Sequence, residues 1–192
     1  MWAIWIVLGV VAYLLGTFPS APMVARAAGI DITKVGSGNP GASNITRALG
    51  WRKGVWVFVL DAAKGAIAAG IGLIADGRPL AYVLAACAIL GHVFPAGRGF
   101  RGGKGVATGG GAFAVISPVV FPFLILIWLV VSRVTKMAAL ASILAVASLP
   151  IGVAIVGREA WEVPATIALC VLVMARHFGN IRRMVTAREH RI

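Results

Sequence analysis

Apolar residues run almost unbroken through seven segments of this chain, at about 2–24, 54–75, 79–95, 105–117, 119–132, 137–157 and 162–177, and polar residues collect between them. Runs of roughly twenty apolar residues are long enough, as helices, to cross a hydrocarbon core of about 30 Å. The pattern predicts an all-α integral membrane protein. Only the fourth and fifth segments leave the count open. Read as one helix, 106–131 would run roughly 39 Å at 1.5 Å per residue. It would also contain Gly109, Gly110, Gly111, Pro118 and Pro122, and interior prolines break or kink a helix. Two short helices meeting near Ser117 and Pro118 account for these residues better.

Charge orients the spans. With seven of them, the loops near 25–53, 96–104 and 133–136 and the tail from 178 share one face, and 16 of the 18 Lys and Arg lie on it or at its boundary. Only Arg78 and Arg158 fall opposite. Merging the fourth and fifth segments would send Arg133, Lys136 and the Arg-rich tail to the other side. The positive-inside preference therefore predicts about seven transmembrane helices, some short, with the N-terminus outside and the C-terminus cytoplasmic. Residues 1–192 read as a single polytopic domain, without an internal repeat or an extramembrane domain.

Composition narrows the class. The chain is 60% hydrophobic and 12% charged, with a formal net charge of +12. In a soluble protein that charge would point to nucleic acid, but no aromatic and basic stripe is present. Positive charge kept on the cytoplasmic face, with anionic lipid or an anionic substrate as partner, is the reading that fits. Cys87 and Cys170 fall inside apolar segments and read as small buried hydrophobes, not a disulfide framework. Residues 24–28 resemble a small-residue cleavage site, yet no Lys or Arg precedes the apolar run, so 1–27 is expected to be a retained span. Small residues at 66–72 and 138–147 suit close helix packing in lipid.

The polar loops carry the chemistry. Residues 91–108, GHVFPAGRGFRGGKGVAT, hold six glycines together with Arg98, Arg101 and Lys104. Glycine permits positive φ and close backbone approach, converging N–H groups suit an anion, and cations complete the match, so the stretch reads as a phosphate cradle. Gly97, Gly99 and Gly102 formally spell G-x-G-x-x-G, but no strand precedes them. A Walker A loop fails too, since Arg98 stands at its first glycine and Gly105 follows Lys104. What remains is 102–105 leading into a helix that opens at Val106 with Thr108 in its first turn. His92 reads as a satisfied interface histidine rather than a catalytic one.

The first cytoplasmic loop reads GSGNPGASN over 36–44, with Arg47 three residues later. An ordinary loop has this composition, but this one shares a face with the glycine-rich stretch. Ser43 and Asn44 are expected to cap a helix that carries Arg47, aiming N–H groups and a guanidinium at one spot. Asp61 and Lys64, at i, i+3 just inside the second segment, form either an internal ion pair or part of the site, and a supporting role is expected. The third loop is expected at 132–136. Ser142, about two turns into the sixth segment, is placed to reach the same pocket, against the commoner case of a serine bonded to its own helix. His177 and Asn180 share a helical face at i, i+3, while Arg182 and Arg183 read as lipid anchors. Acidic residues total six and are scattered, so no metal site is expected.

With these stretches on one face, the sequence resembles the bacterial acyl-phosphate:glycerol-3-phosphate acyltransferase family, PlsY, along nearly its whole length. The matching motifs are SGNPGASN with Arg47, the 91–108 stretch, and RHFGN with IRR at 176–183. Ser43 stands where that family usually has Thr, and Ala187 where a Gly often precedes the terminal acid, which leaves the role of Glu189 open. The resemblance implies transfer of a fatty acyl group from acyl phosphate to the 1-hydroxyl of glycerol 3-phosphate, giving lysophosphatidic acid and phosphate. It implies a bacterial inner membrane location with the site facing the cytoplasm. No cofactor, nucleic acid or obligatory protein partner is expected, only membrane lipid and the two substrates.

By the same resemblance, Ser37, Asn39, Gly41, Ser43, Asn44 and Arg47 form the phosphate pocket with Gly102, Gly103, Lys104, Gly105 and Thr108. His177 and Asn180 complete the glycerol 3-phosphate site. Arg47 and Lys104 neutralise phosphate and support the oxyanion. The base is either His177 or a substrate phosphate oxygen. The His-x4-Asp signature of other glycerolipid acyltransferases is absent, because Gly97 and Arg182 lie five residues after His92 and His177. Two other readings compete: a transporter of an organic phosphate, which would want a charged site at mid-membrane, and a scaffold whose basic loops bind anionic lipid.

Overall fold

The structure is a computed structural model that describes residues 2–156 and 159–192. Met1, the last residue of the sixth apolar segment and Arg158, expected on the face opposite most of the basic residues, lie outside the described residues. The described parts of all seven segments are helical at their centres, and no strand occurs among the described residues. The chain divides into two compact units, Met1–Ile116 and Ser117–Ile192.

The first unit contains α1 (Trp2–Gly16), α2 (Ser20–Arg26), α3 (Ala42–Leu49), α4 (Trp51–Val93) and α5 (Val106–Ile116). As one rod, the 43 residues of α4 would extend about 65 Å. The chain reverses instead at Asp76 and Gly77, where Gly77 takes φ 75° and ψ −160°. Beyond the turn the two halves pack so closely that a side chain at Gly72 would overlap the backbone of Leu80 and Ala81. The expected segments at 54–75 and 79–95 are these two halves. The first segment is itself broken, because Thr17, Phe18 and Pro19 separate α1 from α2.

Glycine sets the packing in this unit. A Cβ at Gly16 would overlap the Ala88 carbonyl, and one at Gly91 the Tyr13 carbonyl, so α1 lies backbone to backbone on the second half of α4. Such contacts replace the hydrophobic drive that lipid removes. Gly65 and Gly111 do the same for α4 and α5. The Arg78 guanidinium donates to the Ile116 carbonyl at 2.9 Å and closes the C-terminal end of α5.

The second unit contains α6 (Phe121–Thr135), α7 (Ala138–Val156), α8 (Glu162–Ala175) and α9 (Phe178–Val185). Helix α5 ends at Ile116 and α6 begins at Phe121, so the break falls at Ser117 and Pro118 as the prolines predict. The loop expected over 132–136 is shorter: Ser132 and Arg133 are helical, and the turn is made by Lys136 at φ 59°. Its amide closes on the Ser132 carbonyl, while the Thr135 hydroxyl accepts from Met137 at the entry to α7.

Large apolar side chains such as Ile6, Ile74, Leu126 and Ile155 face outward, as on a surface turned to lipid. Trp2–Arg26, Trp51–Arg98 and Ala138–Val156 are long and apolar enough to cross a membrane, and the bent pair α8 and α9 makes a fourth candidate.

Candidate active site

The first polar loop is built around one asparagine. Asn44 is buried, and its side-chain nitrogen donates to the Val35 carbonyl at 2.9 Å and to that of Ile32 at 3.3 Å. Its oxygen accepts from the Ser37 amide at 3.1 Å and from an Arg47 guanidinium nitrogen at 3.4 Å. All four hydrogen-bonding positions of the amide are thus used. The same Arg47 nitrogen donates to the Ser37 hydroxyl at 3.3 Å, which also accepts from the Asn39 amide at 3.4 Å. Ser37, Asn39, Asn44 and Arg47 therefore come together in one hydrogen-bonded group.

The expected cap differs. Gly41, in an extended conformation, is the N-cap of α3 and no side chain caps it. Ser43 and Asn44 lie within the first turn, because the Asn44 side chain is committed to the backbone of 32–37 and turns away from the helix start. Ser43 is half-buried. Beneath the loop, Ile45 and Ile32 pack with Ala21, Ala25 and Val57, which seats the group on the core of the unit. Asp31 opens the loop by accepting from the hydroxyl and amide of Thr33, and these bonds hold its carboxyl below the usual carboxylate range.

The glycine-rich stretch folds back on the end of α4. The amides of Gly102 and Gly103 donate to the carbonyls of Val93 and His92, each at 3.1 Å. A side chain at Gly102 would overlap the His92 carbonyl, and one at Gly103 the His92 ring. Gly105, at φ 87°, then turns the chain into α5. A β-carbon would be strained there. Lys104 is half-buried, and Thr108 is fully buried with its hydroxyl unbonded among the described residues. The other two cations differ: Arg98 donates to the Thr17 carbonyl at 3.2 Å, and Arg101 is exposed.

Asp61 and Lys64 form the expected ion pair, Nζ to Oδ1 2.7 Å. His92 joins them, its Nδ1 lying 3.3 Å from Lys64 Nζ and 3.6 Å from Asp61 Oδ1. Lys64 also donates to the Phe18 carbonyl at 2.8 Å. Nothing in the local sequence signals this third member. Tyr13 is a second residue without a sequence signal: its hydroxyl donates to the Phe94 carbonyl at 2.7 Å and accepts from the Ala96 amide at 3.2 Å.

In the second unit, His177 and Asn180 are both buried at the start of α9, the Asn180 amide bonded to the His177 carbonyl at 2.9 Å. His177 Nδ1 donates to the Val173 carbonyl at 2.9 Å, so the lone pair of the neutral ring sits on Nε2. Glu189 bridges the Asn180 side chain at 2.7 Å and Arg183 Nε at 3.1 Å, and so orients the amide. Ser142 donates to the Ala138 carbonyl at 2.8 Å and accepts from Trp128 at 3.1 Å, the backbone-bonded arrangement that competes with a site role.

Ala187, two residues before Glu189, holds φ 55°. Ala187→Gly should raise stability by about 0.5 to 1 kcal/mol, the left-handed strain relieved less the added chain entropy. Thermal melting of the detergent-solubilised pair of proteins checks this, and a lower midpoint for the variant would contradict it.

An all-helical chain with three helices long and apolar enough to cross a membrane, and with polar loops of amides, hydroxyls, glycines and cations between its helices, has the make-up of an integral membrane protein. The family model for glycerol-3-phosphate acyltransferase matches residues 6–187. The chain belongs to this family. It is 41% identical over 183 residues to the glycerol-3-phosphate acyltransferase of Aquifex aeolicus (strain VF5), covering 94% of this chain and 95% of that one. The Clostridioides difficile (strain 630) enzyme of the same name is 37% identical, with 98% and 95% covered. Among solved structures, it is similar to PlsY, an integral membrane glycerol 3-phosphate acyltransferase, in its glycerol 3-phosphate form, at 39% identity and a TM-score of 0.93 over 98% of this chain and 95% of that one. The lysophosphatidic acid form gives 38% identity and 0.91, with the same coverage.

Proposed function

We propose that this protein transfers a fatty acyl group from acyl phosphate to the 1-hydroxyl of sn-glycerol 3-phosphate, releasing lysophosphatidic acid and inorganic phosphate. Likeness to PlsY in its glycerol 3-phosphate and lysophosphatidic acid forms supports the acceptor and the product. The observation that carries the reading is the group of Ser37, Asn44 and Arg47, which holds a guanidinium in a hydrogen-bonded frame. Both proposed substrates bear phosphate, and one end of each is either a lipid tail or destined to join one.

In this reading Arg47 and Lys104 neutralise phosphate, and Ser37, Asn39, Gly41, Ser43, Asn44, Gly102, Gly103, Gly105 and Thr108 shape the pocket. His177 and Asn180 bind glycerol 3-phosphate, and Ser142 has a lesser part. The acceptor oxygen attacks the acyl carbon, the carbonyl electrons move onto oxygen, and their return expels phosphate. Cations near that oxygen lower the barrier. Because the donor is already activated, alignment of hydroxyl and carbonyl supplies much of the rate. The hydroxyl proton goes to a phosphate oxygen, with His177 binding rather than acting as base. Residues 1–192 act as one domain with seven spans, the N-terminus outside and the site open to the cytoplasm. The excess of basic residues in the corresponding loops supports that orientation.

The test is incubation of purified protein in proteoliposomes with palmitoyl phosphate and labelled glycerol 3-phosphate. Lysophosphatidic acid should form one to one with inorganic phosphate. Label recovered inside the vesicles as unchanged glycerol 3-phosphate would overturn the reading in favour of transport.

A further inference from the structure

We propose that the buried Asp61, Lys64 and His92 cluster is a positioning device for the glycine-rich loop, with the His92 ring as the surface on which Gly103, the residue before Lys104, is seated. The inference rests on the reading of that loop as a phosphate site. A buried ammonium must spend its three N–H groups on acceptors, because each one left over loses its hydration without replacement. Lys64 finds Asp61 Oδ1 at 2.7 Å and the carbonyls of Phe18 at 2.8 Å and Gly16 at 3.4 Å, and its Nζ lies 3.3 Å from His92 Nδ1. These contacts set the rotation of the His92 ring, with its Nδ1 edge against Lys64 and Asp61 and Nε2 on the opposite edge.

That rotation matters because of what lies against the other edge. A β-carbon at Gly103 would overlap Nε2 and stand 3.0 and 3.1 Å from Cε1 and Cδ2. The backbone of Gly103 thus rests directly on the ring edge that Lys64 orients from behind, while its amide is bonded to the His92 carbonyl. The Phe18 carbonyl belongs to the break between α1 and α2, and Arg98 from the loop donates to its neighbour Thr17. Four parts of the unit, the two halves of α4, the helix break and the glycine loop, are therefore tied through the side chains of Asp61, Lys64, His92 and Arg98. His92 and Lys64 are positioning residues here, acting on the placement of Lys104 through the backbone of Gly103.

A double-variant cycle on the full chain in nanodiscs tests this, with wild type assayed in the same preparation. His92→Asn keeps an acceptor for Lys64 but removes the ring edge under Gly103. It should lower kcat/KM roughly tenfold through misplacement of the loop. Gly103→Ala, which drives a methyl into the ring, should lower it about a hundredfold. In the double variant the methyl fits the vacated space, and kcat/KM should return to about the level of His92→Asn. Losses that multiply, or a His92→Asn protein as active as wild type, would overturn the proposal.

A readout independent of activity accompanies the cycle. In Lys64→Gln, amide hydrogen exchange should quicken at 102–104 while 106–116 stays as in wild type. Equal acceleration of both, or of neither, would mark the cluster as general scaffolding. A wild type that makes no lysophosphatidic acid counts against the functional reading, and the exchange result then still decides the positioning role.

Discussion

Replacing Arg47 by alanine should reduce kcat/KM by about a hundred- to a thousandfold, the usual cost of removing one donor that meets charge developing in a transition state. The loop around it gives the reason for so large an effect. Asn44 spends all four of its hydrogen-bonding positions on residues 32, 35, 37 and 47, and Ser37 accepts from Arg47 as well. The guanidinium is consequently held in place by the loop's own bonds. Arg47→Lys keeps the charge and loses the forked geometry, so it should recover only part of the rate. Steady-state kinetics with both substrates varied measures this, and a melting curve close to wild type separates it from misfolding. Turnover within twofold of wild type for Arg47→Ala would remove Arg47 from the site.

Gly65→Val should prevent the first unit from closing, at a cost of about 3 kcal/mol or more. A Cβ at Gly65 would overlap the Thr108 carbonyl and lie 2.9 Å from the Ala112 amide nitrogen, while one at Gly111 would overlap the Ala62 carbonyl. These are backbone contacts, which cannot move aside as a flexible side chain can. Any outward shift of α5 also moves Gly105 and Lys104, which enter that helix directly. Gly70, five residues along α4, has nothing within 4 Å of its virtual Cβ, so Gly70→Ala should be neutral or stabilise by up to about 1 kcal/mol. Yield of monodisperse protein and thermal midpoint read both variants. Equal behaviour at positions 65 and 70 would contradict the packing account.

What the sequence made legible follows from how local each signal is. The apolar runs, the break at Ser117 and Pro118 and the opening of α5 at Val106 all depend on residues a few positions apart, and hydropathy, proline and glycine report such features directly. The pair of Asp61 and Lys64 was readable for the same reason, at a spacing of three. Their partner His92 is not legible in the same way, because it meets Lys64 across a separation of 28 residues, and no local rule reports the register of two antiparallel helix halves. The cap of α3 differs from the one that Ser43 and Asn44 suggest, since Gly41 takes that position. An asparagine near a helix start suggests a cap, but this one is drawn to carbonyls 9 and 12 residues earlier. With Ala187 where a Gly often precedes the terminal acid, the sequence leaves the role of Glu189 open, and its link to Asn180 appears only once the chain after α9 turns back through Ala187 at positive φ. Of the candidate residues, Ser37, Asn39, Asn44 and Arg47 form one group, and Ser142 is engaged by its own helix and Trp128.

The most direct test of the account uses palmitoyl phosphate carrying oxygen-18 in the bridging position, offered with glycerol 3-phosphate to the purified protein. Attack at the acyl carbon breaks the bond between that carbon and the bridging oxygen. The label should therefore appear entirely in inorganic phosphate, with one lysophosphatidic acid formed for each, and palmitoyl-CoA should not replace the donor. Label retained in free palmitate, or product formed only from palmitoyl-CoA, would contradict acyl transfer from an acyl phosphate.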